Sequence, residues 1–428
     1  MSNSADNSPA DTPSTHSVPR AIRQQRGLIS QNFRNLGTKY EEYYAPSNQS
    51  YTIVPVDTNR EKWNEALHRL EFKILPLLRH QIQTLPKLLD SSELREDLDG
   101  SKLQLITEIQ SEIDQSLDQL FSIATGIQRR PASTPPRADD NDSREFKEYR
   151  RERLSIQLSC LNQELHWMFH LASSLIGDLK NPPQSHCYLL DLCHPGGIVQ
   201  RTTRATETIN GTLRGLASHE FILIQEDWAL VFTSHDEHIA ILTQLIHRAT
   251  NHPEPENESD FSESDSEDDE LTRRLRKHAI PLAQSFIPVL KLSRLFFRKL
   301  AQNELNKTPS RSFTDMNSYQ LDKLSESAED TRSDLFDIHT LIVGSHEINT
   351  AYSITSLINR IINRFDSILL LVIIYIIPLL ANPISSQPND LQNSLVAWNR
   401  LFMIAAHNCT RAAQACQIET PPSEPDEE

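Results

Sequence analysis

Two cysteines and two histidines crowd into nine residues, as His186-Cys187 and Cys193-His194 around YLLDL. Thiolate and imidazole are the usual zinc ligands, but structural zinc sites favour two to four residues between paired cysteines, and here there are five. A Cys beside a His also sends its side chain in a different direction. The spacing therefore argues against a zinc site, and the cluster is where an enzyme on a helical scaffold would place a metal. His166 and His170 share one helical face at i, i+4, a spacing that can hold a metal, yet no third ligand or acidic base accompanies them. His235-Asp236-Glu237-His238 reads as polar surface. No GxSxG, HExxH, GxxxxGK[ST] or GxGxxG motif is present. Gly196-Gly197 is the only double glycine and by itself says little about phosphate binding. Cys409 and Cys416 lie on a packing seam, where a thiol is buried and unreactive. The sequence thus predicts a non-enzymatic protein, with no catalytic residue, no cofactor and no bound metal.

Modification chemistry has a clearer address. Ser262, Ser264 and Ser266 each precede an acidic residue by three positions: Asp265, Glu267 and Asp269. That pattern resembles the substrates of an acid-directed kinase, and each phosphate would add about −1.5 to −2 of charge. The alternative is a solvated linker without regulation. Arg273, Arg274, Arg276 and Lys277 follow at once, either as a nuclear-import signal or as a solvated helix start beside the acids.

The elements that hold these residues are helical. Only 10 of 428 residues are glycine, so a fold rich in tight β-turns is excluded. Net charge is −16, and residues 254–270 carry ten acids and no base, leaving −6 for the rest (−16 + 10). Such a chain is a poor general binder of nucleic acid, since phosphate contacts need Lys and Arg. Five scattered cysteines fit a reducing compartment, the cytoplasm or the nucleus. The first twenty residues lack the apolar core of a signal peptide.

The expected organisation is all-α: two helical-bundle halves joined by an acidic disordered linker. Residues 1–58 are expected to be a mostly disordered tail, with partial order over 21–58 as a segment packing on the body. Residues 59–250 form an N-terminal bundle, 251–270 the acidic linker, 271–417 a C-terminal bundle, and 418–428 an acidic tail. In the first bundle Trp63, Leu67, Leu70, Ile74 and Leu77 make one helical face, with a kink or break at Pro76 and Pro86. Helices follow at about 101–127 and 144–179, with a linker at 129–143 between them. Others are expected at about 198–216 and 225–249, and Phe221–Ile224 could alternatively be a short strand. In the second bundle a helix or broken pair spans 271–305, and a helix spans about 319–343. Two long seams close the chain. One is Ile354, Ile358, Ile361, Phe365, Ile368, Val372, Tyr375, Leu379; the other is Leu391, Leu395, Trp398, Phe402, Ala405, Cys409, Ala412, Cys416. Both step 4-3-4-3, the coiled-coil-type spacing of helices packed side by side.

Within the first seam, Ile368–Ala381 is the most apolar run of the chain. As a helix it would be roughly 21 Å long, short of a bilayer's roughly 30 Å core. It therefore reads as the end of an amphipathic helix buried on all sides, with a membrane element as the alternative.

Ile280–Lys299, IPLAQSFIPVLKLSRLFFRK, passes from a Pro-Leu start through a Lys-Leu turn into an apolar helix with a basic end. It resembles the C-terminal half of the cyclin-D-interacting (GCIP-like) proteins, whose layout of helical half, acidic segment and helical half is also similar. The resemblance implies an all-helical regulator of nucleus and cytoplasm that binds cell-cycle or transcription factors. The functional expectation is recognition of a protein partner through helical faces, with no nucleic acid and no membrane. The alternatives are membrane association through 368–381 and an enzyme built on the 186–194 cluster.

Overall fold

The computed structural model describes residues 19–39, 60–97, 99–128, 137–179, 195–231, 233–251, 279–301, 313–344, 350–380 and 387–418. Among them the fold is all-α, with no strand. The chain divides into two compact units, and it changes unit at 134/135, 150/151 and 217/218.

The first unit opens with α1 (Arg20–Thr38), inside the stretch expected to be tail. Its buried face is Ile22, Arg26, Ile29, Ser30, Phe33, Leu36 and Gly37. The steps are helical, but three of the seven members are polar or glycine, so an apolar pattern alone does not reveal it. Each polar member has a partner. Ser30 Oγ lies 3.1 Å from Ser173 Oγ, and the buried Arg26 guanidinium donates to Leu94 O at 2.5 Å and to Leu179 O at 3.3 Å. Next come α2 (Arg60–Arg69), α3 (Leu75–Leu88), α4 (Ser91–Glu96) and α5 (Ser101–Gln128). The long α6 (Glu148–Asp178) contributes from Arg151 onward, and α7 (Pro195–Ala217) completes the unit. Leu103, Ile106, Ile113, Leu117 and Leu120 of α5 and Leu154, Leu158, Leu161, Leu165 and Met168 of α6 are buried in one core.

The second unit takes residues 135–150 and everything from Ser218 on. It holds α8 (Glu220–Val231), α9 (Thr233–Asn251), α10 (Ile280–Ala301), α11 (Ser318–Gly344), α12 (Thr350–Leu371), α13 (Ile377–Leu380) and α14 (Gln387–Ile418). The domain boundary expected near 250 therefore moves to 217/218. Phe221, Ile224 and Trp228 of α8 and Leu242 and Leu245 of α9 are buried in the second core, and Phe221–Ile224 is helix. The acidic run joins α9 to α10, two helices of one unit. At the centre, Phe365 of α12 lies 5.0 Å from Phe296 of α10, and 4.9 and 4.7 Å from Trp398 and Phe402 of α14, ring centre to ring centre. Such edge and tilted contacts between rings add to the burial of their large apolar area.

Two prolines are handled alike. A π turn at Leu70–Ile74 precedes Pro76 by two residues, and a second at Val372–Ile376 precedes Pro378 by two. A proline ring strikes the carbonyl four residues back and offers it no N–H, and a widened π turn displaces that carbonyl. The extra residue also shifts the seam by one. Leu78 is buried where Leu77 was expected, and Ile376 is buried where Tyr375 was expected. Pro86 and Pro288 are accommodated inside α3 and α10 without a break.

The run 368–381 departs from expectation most. Ile368, Leu369, Val372 and Ile376 are buried, but Leu370, Ile373 and Ile374 are exposed. It has one buried face and one open apolar face.

Candidate functional site

A buried knot of ionisable and hydroxyl side chains lies in the second unit. Lys147 and Glu220, both 0% exposed, pair at 3.1 Å between Nζ and Oε1. Glu220 Oε2 accepts from Thr314 N at 2.7 Å and from Thr314 Oγ1 at 2.9 Å, and Lys147 Nζ donates to Thr314 O at 2.5 Å. Beside it, Asp140 accepts from the backbone N–H of Glu148 at 2.9 Å and of Ser318 at 2.7 Å, and from Ser318 Oγ at 2.5 Å. Ser318 Oγ in turn accepts from Tyr149 N at 2.8 Å.

A lysine, a glutamate and a hydroxyl in contact have the composition of an acid–base site. Their surroundings argue for another role. Glu148, Glu220 and Ser318 are the first residues of α6, α8 and α11, so both carboxylates sit at helix N-termini, where unpaired N–H groups and the helix dipole favour negative charge. Residues 137–147, polar enough to be read as part of a linker, thus supply Asp140, which accepts at the start of α6 and of α11, and Lys147, which pairs with the first residue of α8. The knot is closed to solvent and to substrate, and its chemistry is structural.

Burial pulls the neighbouring His219 imidazole below its usual range; the Glu220 charge opposes this, and Arg150 and Lys147 add to it. Its Nδ1 accepts from Phe221 N at 3.1 Å, which requires the neutral ring.

Ser262, Ser264 and Ser266, the His186–His194 cluster and the basic run 273–277 all lie outside the described residues. His166 and His170 touch, with ring centres 4.4 Å apart, and His166 Nδ1 lies 3.0 Å from Gly37 O. No group of three metal-capable side chains exists among the described residues. Cys409 is buried, and burial pushes its thiol up to about 12, which makes it inert.

The surface carries a different candidate. Helix α14, whose Trp398 and Phe402 pack on Phe365 of α12, also exposes large apolar side chains. There Val396, Leu401, Met403 and Ile404 point away from the core, Ile404 at 59% exposed and Val396 at 58%. Monomeric proteins rarely expose many large apolar side chains together, and such concentrations mark interaction surfaces. Sequence reading passed over these four because they lie off the seam of α14. The signal available was a second apolar set, at 396, 403 and 404, on the side opposite Leu395, Phe402 and Ala406. Arg360 and Arg364 of α12 pair with the buried Asp334 of α11, Arg364 at 2.5 Å, which fixes the polar half of α12 to the bundle.

Residues 219–411 match the family model of a domain of unknown function (DUF8721). Residues 63–217 match that of a second domain of unknown function (DUF8723). No curated protein and no solved structure matches the chain. The two matches meet at 217–219, as the structural units do, but the second unit also takes 135–150 from within the first match.

Two outcomes follow from the knot. Lys147→Met leaves Glu220 buried without its counter-ion and costs about 3–5 kcal/mol, read by chemical denaturation, and adding Glu220→Gln recovers part of the loss. His219 has a depressed folded pKa, so its contribution is complete above the unfolded value of about 6.5 and is lost as pH falls below it. The melting temperature of the wild type accordingly drops more between neutral and mildly acidic pH than that of His219→Asn, whose side chain can still accept the helix-starting bond.

Proposed function

We propose that this chain is a non-enzymatic protein of the cytoplasm or nucleus that binds another protein through the outward apolar face of its C-terminal helices. The observation behind this reading is the set of exposed aliphatic side chains on α14 and on the α12–α13 run, beside a core that already buries Phe365, Trp398 and Phe402 of the same helices. A helix face with large aliphatic groups at three- and four-residue steps is the usual form of helix-mediated recognition. Scattered cysteines, with Cys409 of the α14 seam inert, suit a reducing compartment. That the partner is a cell-cycle or transcription factor, as the resemblance of Ile280–Lys299 implies, is part of this proposal.

A membrane reading has one specific observation in its favour. Ala351–Leu379, 29 residues, and Ile280–Ala301, 22 residues, are long and apolar enough to cross a bilayer, and only 33% of the most apolar window of the first is buried. Against it, Arg360 and Arg364 occupy that helix as partners of Asp334. Complete release of the chain from cells without detergent overturns the membrane reading.

The direct test of protein binding is affinity capture with the full chain and with Val396→Glu/Ile404→Glu. Both positions are exposed, so the variant keeps its melting temperature and helical circular dichroism. The wild type captures partners that the variant loses, and capture of the same set by both overturns the proposal.

A further inference from the structure

Residues 137–147 and the first turn of α6 form a strap that belongs to one family match and to the other structural unit. In sequence they lie within the first match, residues 63–217; in space they are part of the second unit. Their contacts in that unit reach residues of the second match. Arg137 pairs with Asp322 at 3.3 Å, Asn317 Nδ2 donates to Ala138 O at 2.8 Å, and Ser318 donates to Asp140 through both its N–H and its hydroxyl. Lys147 meets Glu220 and Thr314 O, Tyr149 is buried in the second core, and the Arg150 guanidinium lies 5.2 Å from the centre of the Phe313 ring.

The dependence runs both ways. Among the described residues Lys147 is the one ion-pair partner of Glu220. Without the strap, residues 219–411 would bury that carboxylate with no cation and would start α11 without Asp140. A buried charge left alone and a buried helix start left unpaired both oppose folding. Without residues 219–411, the strap would keep a lysine that has no carboxylate to meet. Its backbone carries the mark of the same fit. Arg144 has φ 50° and ψ −114°, the one positive φ outside glycine among the described residues. Such a conformation persists only where the surroundings impose it, and here Asp140 and Lys147 anchor the chain on either side.

The connectivity separates this association from the covalent link. The chain enters the strap at 134/135 and leaves it at 150/151, and it passes to the rest of the second unit at 217/218. A cut at 217/218 leaves the strap on one piece, tethered at both ends, and its partners on the other. A solvated ion pair would do little to hold two such pieces. A desolvated, hydrogen-bonded charge pair is of the kind whose loss accelerates dissociation of a complex.

We propose that residues 1–217 and 218–428 are binding partners in their own right, with the strap as the recognition element and the peptide link between them dispensable for the association.

The test uses the full chain with a specific protease site inserted between Ala217 and Ser218, cleaved in the folded state, and the uncut protein as reference. The two pieces of the wild type stay together through size-exclusion chromatography. Lys147→Met in the same cut form weakens the complex about a hundredfold or more, seen as separation on dilution. Ser318→Ala removes one buried hydroxyl and no charge, so its uncut form keeps the wild-type circular dichroism, and its cut form binds about tenfold more weakly. Ser318→Ala decides the matter where Lys147→Met is too unstable to purify. Separation of the wild-type pieces on cutting, or cut Ser318→Ala pieces that hold together as tightly as the wild type, overturns the inference. No substitution here touches the exposed side of α14, so the result is independent of the capture experiment above.

Discussion

The second unit depends on a lysine and a glutamate that never meet water. Taking either charge out of solvent is costly, and the pair is tolerable only if every remaining lone pair and proton is satisfied. Here Thr314 supplies those partners, its N–H and hydroxyl donating to Glu220 Oε2 and its carbonyl accepting from Lys147 Nζ, and the adjacent Asp140–Ser318 pair ties in the starts of α6 and α11. The consequence is positional. The strap 137–147, Thr314 and the N-termini of α6, α8 and α11 must come together for any of these polar groups to be paired. The frame that carries α10, α12 and α14 is set from this end. One sequence-family match supplies the strap and the other supplies Glu220, Thr314 and Ser318, so the second unit is assembled from both.

From that frame the division of labour among side chains follows. The second core collects Phe296, Phe297, Phe365, Trp398 and Phe402, which bury the most area per residue and tolerate little displacement. The outward faces of the same helices keep aliphatic and basic residues. The π turn before Pro378 belongs to this arrangement. By adding one residue to the turn it keeps Ile376 inward and leaves Ile373 and Ile374 side by side on the outside. Helix α11 carries six acids, Asp322, Glu326, Glu329, Asp330, Asp334 and Asp337, whereas α10 carries none.

The helical class and the long seams were legible in the sequence because burial follows apolar spacing directly. Ile354, Ile358, Ile361, Phe365, Leu391, Leu395, Trp398 and Phe402 are all buried as their periodicity requires. Three things were not legible. Partial order over 21–58 was legible, but that it is helix α1 was hidden because Arg26, Ser30 and Gly37 occupy core positions, the first two made acceptable by bonds to residues 68 to 153 positions away. The boundary at 217/218 was hidden because Ser218-His219 has no linker composition, whereas the acidic run has it and lies within a unit. The strap was hidden because Asp140 and Lys147 look solvated until their distant partners are known. For the candidate site, the seams drew attention inward, while the interaction residues Val396, Met403 and Ile404 lie on the opposite arc of the same helix.

The central claim is that the outward arc of α14 touches another protein. The most direct measurement places a photoreactive leucine-like residue at Ile404 of the full chain in cells, with the same group at the equally exposed Ile156 of α6 as reference. Mass spectrometry then identifies what is joined to each. The account predicts peptide adducts from a partner protein at 404 that are absent at 156. Lipid adducts at 404, or the same adducts at both positions, would contradict it.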